Sequence, residues 1–273
     1  MLYLFISAIG VKFKVMDKCQ YLNIVSGGVL TYDKSRLLAT EKTLSRHEKI
    51  GFPDKYREGY ADYILEDICS ESKLSSFKSL GKVVVDIGCG CDDVVNKIIG
   101  IVKQNKHELY LLDAPEMLDL IDVDGNIHKI PGKFPDEDSE FIKANLGRAD
   151  IVLIYSVMMY VCVQDSIFNF LDKAVSLLAL GGRLLIGDIP NRSKRRRFFA
   201  SAEGIKTHQD YMGTDEVPVI SPWNLDYAQI DDSIVFAIMQ RYRAAGYETY
   251  LLPQNKNLPM ANRREDIVIE RRI

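Results

Sequence analysis

The sequence predicts an α/β fold: a three-layer sandwich with a seven-stranded, mostly parallel, doubly wound sheet, an antiparallel last strand and helices on both faces. Two observations carry this. From residue 82 onward, short apolar runs alternate with longer amphipathic stretches, the pattern of a buried parallel sheet with helical crossovers. The last two runs are joined by only about a dozen Pro/Asn-rich residues, too few for a helical crossover, so they are expected to run antiparallel.

The elements follow in order. Lys82-Val-Val-Val-Asp-Ile87 reads as a buried strand, followed by Gly88-Cys-Gly90 and a helix from Asp92 to Val102. Glu108 to Asp113 is the second strand, with a short helix at Pro115 to Ile121. Residues 125–130 form a weaker third strand and Asp150 to Tyr155 a strong fourth. A helix spans Ser166 to Leu180, and Gly181-Gly182 is expected to stop it before a fifth strand at 183–188. Helix Asp232 to Ala245, with Gly246 as its stop, precedes strands Tyr247 to Leu252 and Asp266 to Arg271. Residues 1–80 read as an N-terminal extension and helical lid. Residues 81–273 form the core, interrupted at about 189–231 by a proline-bearing insertion of a length usually tied to function.

The 273 residues suffice for a sizeable core, and 35 basic against 38 acidic side chains give a net charge of -3. Such a balance leaves no general footprint for nucleic acid or an anionic bilayer. Five scattered cysteines (Cys19, Cys69, Cys89, Cys91, Cys162) make a poor disulfide framework and fit a reducing, cytoplasmic setting. With four histidines they do not supply the convergent donors that zinc needs, so no metal is expected. The apolar start, residues 1–11, is too short to span a bilayer and lacks the basic leader of a signal peptide. It reads as a packed strand, a surface tail, or residues upstream of a working start at Met16.

Chemistry is expected at the C-terminal edges of the parallel strands, where open sheets bind ligands. Gly88 and Gly90 let backbone approach a ligand closely, and the helix amides that follow attract an anionic group. A dinucleotide fingerprint is not met: Asp93 stands where a third small residue is required, and Asp92 with Asp93 would repel a pyrophosphate. A zwitterionic or cationic ligand is easier to place. Asp113, at the end of the second strand, is positioned to accept both hydroxyls of a ribose, or else to cap the helix that follows.

Taken together, Asp86-Ile-Gly-Cys-Gly90, Leu112-Asp-Ala-Pro-Glu-Met117, Ala149 to Ser156 and Gly181 to Asp188 resemble the motifs of class I S-adenosylmethionine-dependent methyltransferases. The resemblance implies a Rossmann-like methyltransferase fold, with S-adenosylmethionine as cofactor. It implies that Gly88 and Gly90 line the methionine end, that Asp113 holds the ribose hydroxyls, and that Asp86 and Cys89 of the same motif belong to the cofactor-binding set. Met117 would lie against the adenine, backbone amides near Phe134 could read the base, Ala114 counts among the cofactor-binding residues, and Tyr155 and Ser156 would border the sulfonium. Two departures stand out. Asp92 replaces the usual third glycine, a substitution that Asp tolerates in a left-handed conformation. Lys133 replaces the acidic residue that often meets the adenine amino group.

The methyl acceptor must be read from the variable segments. Tyr56 and Tyr60, in the irregular run Arg46 to Tyr60, either face substrate or pack on the sheet, and Tyr160 poses the same choice. Arg192, Lys194, Arg195, Arg196 and Arg197 place five cations within residues 192–197. That run is a solvated helix face, or an anion site in which Arg195 and Arg197 hold a phosphorylated small-molecule acceptor. An RNA partner ranks below both, since no stacking aromatics interleave with the run. Asp188 and His208 are the candidate catalytic bases. Tyrosines, arginines and Trp223 in these excursions favour a polar acceptor, such as a sugar or sugar nucleotide of surface-glycan (polysaccharide) synthesis. Two rival classes stay open: a nucleotide-linked oxidoreductase, and a non-catalytic binding module on the same fold.

Overall fold

The computed structural model describes residues 30–136, 139–220 and 229–272. Residues 1–15, Met16, Cys19 and Trp223 lie outside the described residues.

Seven strands form one sheet in the order β3-β2-β1-β4-β5-β7-β6. They are β1 (Val83–Ile87), β2 (Glu108–Asp113), β3 (Ile127–Pro131), β4 (Ala149–Tyr155), β5 (Leu178–Pro190), β6 (Glu248–Pro253) and β7 (Arg264–Glu270). β1 to β5 are mutually parallel, and β7 inserts antiparallel between β5 and β6. The strand order reverses beside β1, whose neighbours are β2 and β4, so the loops leaving β1 and β4 diverge and open a crevice.

Successive side chains of each strand enter opposite cores, as the two-residue pleat requires. Val84, Leu109, Leu111, Ile151, Leu153 and Leu185 pack under helices α3 (Ala61–Ile68), α4 (Asp93–Gln104) and α5 (Pro115–Leu118). Val85, Val152, Ile154, Leu184 and Ile186 pack under α8 (Ile167–Ser176) and α11 (Asp232–Ala244). Burial on both faces explains why these strands read as unbroken apolar runs.

Before β1, helices α1 (Tyr32–Thr40) and α2 (Arg46–Lys49) and a 3₁₀ turn at Asp54–Tyr56 lie over the ligand edge of the sheet. Thr31 and Ser45 cap α1 and α2 with their hydroxyls. Arg36 forks onto Glu116 of α5, with its Nε 3.1 and 3.0 Å from the two carboxylate oxygens.

Two expectations need correction. The helix from Ser166 ends at Ser176, not Leu180, and Gly181-Gly182 do not stop it. Leu177 is the C-cap of that helix and Leu178 already pairs with Ala149 as the first residue of β5, so the glycines lie inside that strand. Short helices α6 (Glu140–Asn145) and α7 (Met158–Gln164) also stand where no helix was expected. In the insertion, α9 (Arg192–Phe199) and α10 (Ala202–Met212) pack so closely that a Cβ on Gly204 would meet the Phe198 carbonyl.

Candidate active site

The crevice beside β1 opens into a cavity lined by the loop after β1, the ends of β2 and β4, and the cover formed by residues 30–57. Its empty space, mouth included, is about 1110 Å³.

Gly88 has φ +75, and a Cβ there would stand 2.5 Å from Val157 Cγ2. The turn therefore requires glycine, both for its conformation and for the approach of the loop after β4. Asp92 does not take the left-handed conformation expected of it. At φ -80 it is the N-cap of α4, accepting the Val94 N–H at 3.0 Å. Asp113 does not cap α5, whose N-cap is Ala114. Its carboxylate accepts the Gly90 N–H at 2.9 Å and the Ala114 N–H at 2.7 Å. Asp113 and the glycine loop, separate in sequence, are thus one hydrogen-bonded unit on the cavity wall.

The wall is acidic. Burial, with Asp113 and Asp92 nearby, pushes the Asp86 carboxyl up to about 8. Burial pushes Asp113 up to about 6 against the pull of its two N–H donors. Crowded carboxylates that resist ionisation are short of a cation, so a positively charged ligand is what this wall stabilises.

Across the cavity the cover supplies Arg57, which is 5 % exposed. Its Nη2 donates to Ser156 Oγ and, at 3.3 Å, to Asp188 Oδ2. The guanidinium carbon lies 4.1 Å from the Phe52 ring centroid and 5.6 Å from that of Tyr155. Burial acts to lower the Arg57 pKa, but Asp188, Tyr155 and Asp92 outweigh it and the net shift is upward. Ser156, at φ +61, donates to Asp188 Oδ2 at 2.6 Å. Asp188, at φ +58, is held by its own N–H to Asp266 Oδ1 (2.8 Å) and by Gln254. Asp266 in turn meets the wholly buried Lys73 at 2.5 Å, and Lys73 meets Asp67 at 2.6 Å. Burial leaves Asp266 raised to about 6 despite Lys73. The Tyr155 ring fits because residue 187 is glycine: a Cβ there would be 2.4 Å from the ring.

Of the residues expected at a cofactor, Asp86, Gly88, Cys89, Gly90, Asp113, Met117, Phe134, Tyr155 and Ser156 line this cavity, whereas Ala114 is buried behind it. Tyr160 also lines it, its hydroxyl donating to the Ile50 carbonyl at 3.2 Å and its pKa pushed up to about 12 by burial. The other acceptor-site candidates are not brought there. Tyr60 packs into the core beneath the cover, and Tyr56 faces Lys55. Arg197 is paired with Asp232 at 2.5 Å, Arg195 stacks on Phe199, and Lys194 donates to the Arg264 carbonyl. The basic run is thus tied to the start of α11 and to β7, away from the cavity. His208, on α10, sits against Phe199 at the end of α9. Asp188 is 4 % exposed and does not line the cavity, its oxygens being occupied behind Ser156.

Sequence reasoning missed Arg57, Ile50, Phe52 and Tyr32, which line the cavity from the cover, and Asp165, which pairs with Lys133 at 2.9 Å on its rim. The alternation of aromatic and charged residues from 46 to 60 was the available signal, but it did not single out Arg57 from Arg46.

No protein-family model matches the chain, and no curated protein matches it in sequence. Solved structures do match in fold. One is the plantazolicin methyltransferase BpumL, crystallised with a triazolic desmethylPZN analog and SAH. It is 13% identical, with 89% of this chain and 97% of that one covered at a TM-score of 0.54. Another is the CurJ carbon methyltransferase, 14% identical, with 94% of this chain and 68% of that one covered at a TM-score of 0.53. With the strand order, the antiparallel β7 and the crevice beside β1 in place, the chain has the Rossmann-like fold of the class I S-adenosylmethionine-dependent methyltransferases.

Proposed function

We propose that the chain is an S-adenosylmethionine-dependent methyltransferase acting on a small molecule. The observation that carries this reading is the Gly90–Asp113 hydrogen bond, which sets a ribose-accepting carboxylate beside a glycine turn on an acidic wall. A sulfonium and an ammonium suit that wall, and a pyrophosphate does not. The oxidoreductase alternative is therefore disfavoured. Asp86 and the glycine loop would hold the amino-acid end of the cofactor, Asp113 the ribose, and Met117 and Phe134 the base.

Methyl transfer is an in-line displacement, so this chain's part is to align donor and acceptor and to exclude water. The cover, residues 30–57 of the extension, acts as the lid. Ser156 and Tyr155 border the transfer point, and Asp188 serves to position Ser156 and Arg57. The sequence favours a polar acceptor such as a sugar or sugar nucleotide. A second reading is favoured by the apolar and aromatic wall of Leu30, Ile50, Phe52, Tyr155, Val157 and Tyr160, which suits a flatter, less polar molecule.

Calorimetry with S-adenosylhomocysteine tests the cofactor: binding by the wild type that weakens in Asp113→Asn supports it, and no binding to the wild type overturns it. A methyl-transfer screen over sugar nucleotides and apolar aromatic alcohols, amines and acids then separates the acceptor classes. Tight cofactor binding with turnover of no acceptor favours the non-catalytic module.

A further inference from the structure

Resting on the cofactor reading above, we propose that Arg57 binds the carboxylate at the amino-acid end of the cofactor. The sheet order fixes which way such a ligand lies. Asp113 ends β2, the glycine loop leaves β1, and Ser156 follows β4, in that spatial order. A ligand with its ribose on Asp113 and its chain passing Gly88 brings its amino-acid end toward β4, where Arg57 meets Ser156.

Along that path Asp92 and Asp113 attract the ligand's cationic groups and repel its carboxylate, and the buried Asp86 offers it no opposite charge. Among the described residues, the cationic side chains lining the cavity are Arg57 and Lys133. Lys133 stands beyond β3, at the opposite end, and is paired with Asp165. Arg57 alone is at the required end.

Its donors are also unspent. Both of its hydrogen bonds run from Nη2, and Nε is the one buried side-chain polar atom without a partner among the described residues. A buried, unmatched N–H on an arginine is costly unless a ligand completes it. The guanidinium is held in place between Phe52 and Tyr155, and Asp188, locked to Asp266 and through it to Lys73, fixes the group that Arg57 leans on. A carboxylate arriving there meets a cation already oriented, which is the condition for a strong charge-assisted contact.

The test is calorimetry on the full chain with two probes: S-adenosylhomocysteine, and 5′-methylthioadenosine, which keeps the nucleoside and the sulfur but has no amino-acid end. In Arg57→Gln, the expected result is a loss of about 10- to 100-fold in S-adenosylhomocysteine affinity, with 5′-methylthioadenosine affinity unchanged to within about twofold. Arg57→Lys retains a charge beside Asp188. It is expected to show the same selective loss, smaller in size, which keeps the test decisive should Gln leave the chain unfolded. S-adenosylhomocysteine affinity retained in both variants, or an equal loss for both probes, overturns the proposal. A wild type that binds both probes equally overturns it while leaving the cofactor reading intact. A wild type that binds neither removes both.

Discussion

Replacing Asp113 by Asn is expected to stabilise the unliganded protein while weakening its hold on the cofactor. The carboxyl is raised from 3.8 to about 6, mainly by burial. A folded pKa above the unfolded one means that the cost of the charge appears as pH rises from about 4 and is complete above about 6. Two pH units correspond to about 3 kcal/mol as an upper limit. Asn removes the charge at constant shape and keeps one acceptor for the Gly90 N–H, but turns its amide NH2 toward the Ala114 N–H and so loses that bond, at a cost of about 1 kcal/mol. The net expectation at pH 7.5 is a gain of about 1–2 kcal/mol in unfolding free energy, falling to nothing near pH 4. Affinity moves the other way: losing the charge and one acceptor toward the ribose costs about 2–4 kcal/mol, or about 30- to 1,000-fold in Kd. Urea denaturation at pH 4 and 7.5 and calorimetry with S-adenosylhomocysteine measure the two quantities. A variant less stable at pH 7.5 with unchanged affinity would refute the reasoning, since Asp113 would then be a structural cap and not a ligand-facing charge.

Other consequences follow from the same geometry. With Asp86 raised to about 8, the folded chain keeps a proton that the unfolded chain releases near pH 4. Unfolding free energy should therefore fall across pH 4–8, by up to about 1.4 kcal/mol per pH unit, and Asp86→Asn should flatten that slope in denaturant titrations. Lys73→Met leaves Asp67 and Asp266 facing each other without their shared cation, and a loss of about 3–5 kcal/mol at neutral pH is expected in thermal or urea unfolding. Gly88→Ala forces both a positive φ and a clash with Val157, so a loss of about 1–2 kcal/mol and weaker S-adenosylhomocysteine binding should appear together. The double change Arg195→Ala, Arg197→Ala should leave both cofactor and acceptor affinity unchanged, because neither side chain reaches the cavity; a lost acceptor affinity would restore the anion-site reading.

What could be read in the sequence was whatever is local. β2 was placed to the residue because apolar Leu109 to Leu112 stand between the polar Glu108 and Asp113. The helix from Ser166 was overrun because Leu177 and Leu178 continue its apolar pattern, and nothing local distinguishes the end of an amphipathic helix from the start of a buried strand. α7 was missed because Met-Met-Tyr-Val-Cys-Val-Gln has little polar face to mark a helical period. At the site, the glycine loop and Asp113 were legible because strand ends carry them to one edge, and Tyr155-Ser156 through the resemblance of the fourth-strand motif. Arg57 was not, since its partners Ser156 and Asp188 lie 99 and 131 residues away. The basic run kept both its readings, solvated helix face and anion site, for the same reason: its contacts with Asp232 and the Arg264 carbonyl are 35 and 70 residues away in sequence.

Ser156 and Asp188 sit at positive φ on neighbouring chain segments, joined by a single hydrogen bond. For Ser156 such a conformation costs about 1–3 kcal/mol, and for Asp188 less, since an Asp side chain tolerates it better. A sequence under no demand at this corner would reach lower energy with glycine at both positions, and the buried Asp266, Gln254 and Lys73 that hold the pair would have nothing to hold. The strain thus measures how much stability the fold gives up to keep a hydroxyl, a carboxylate and, through them, a guanidinium at one point. A relic retained only for its shape would have little reason to carry it.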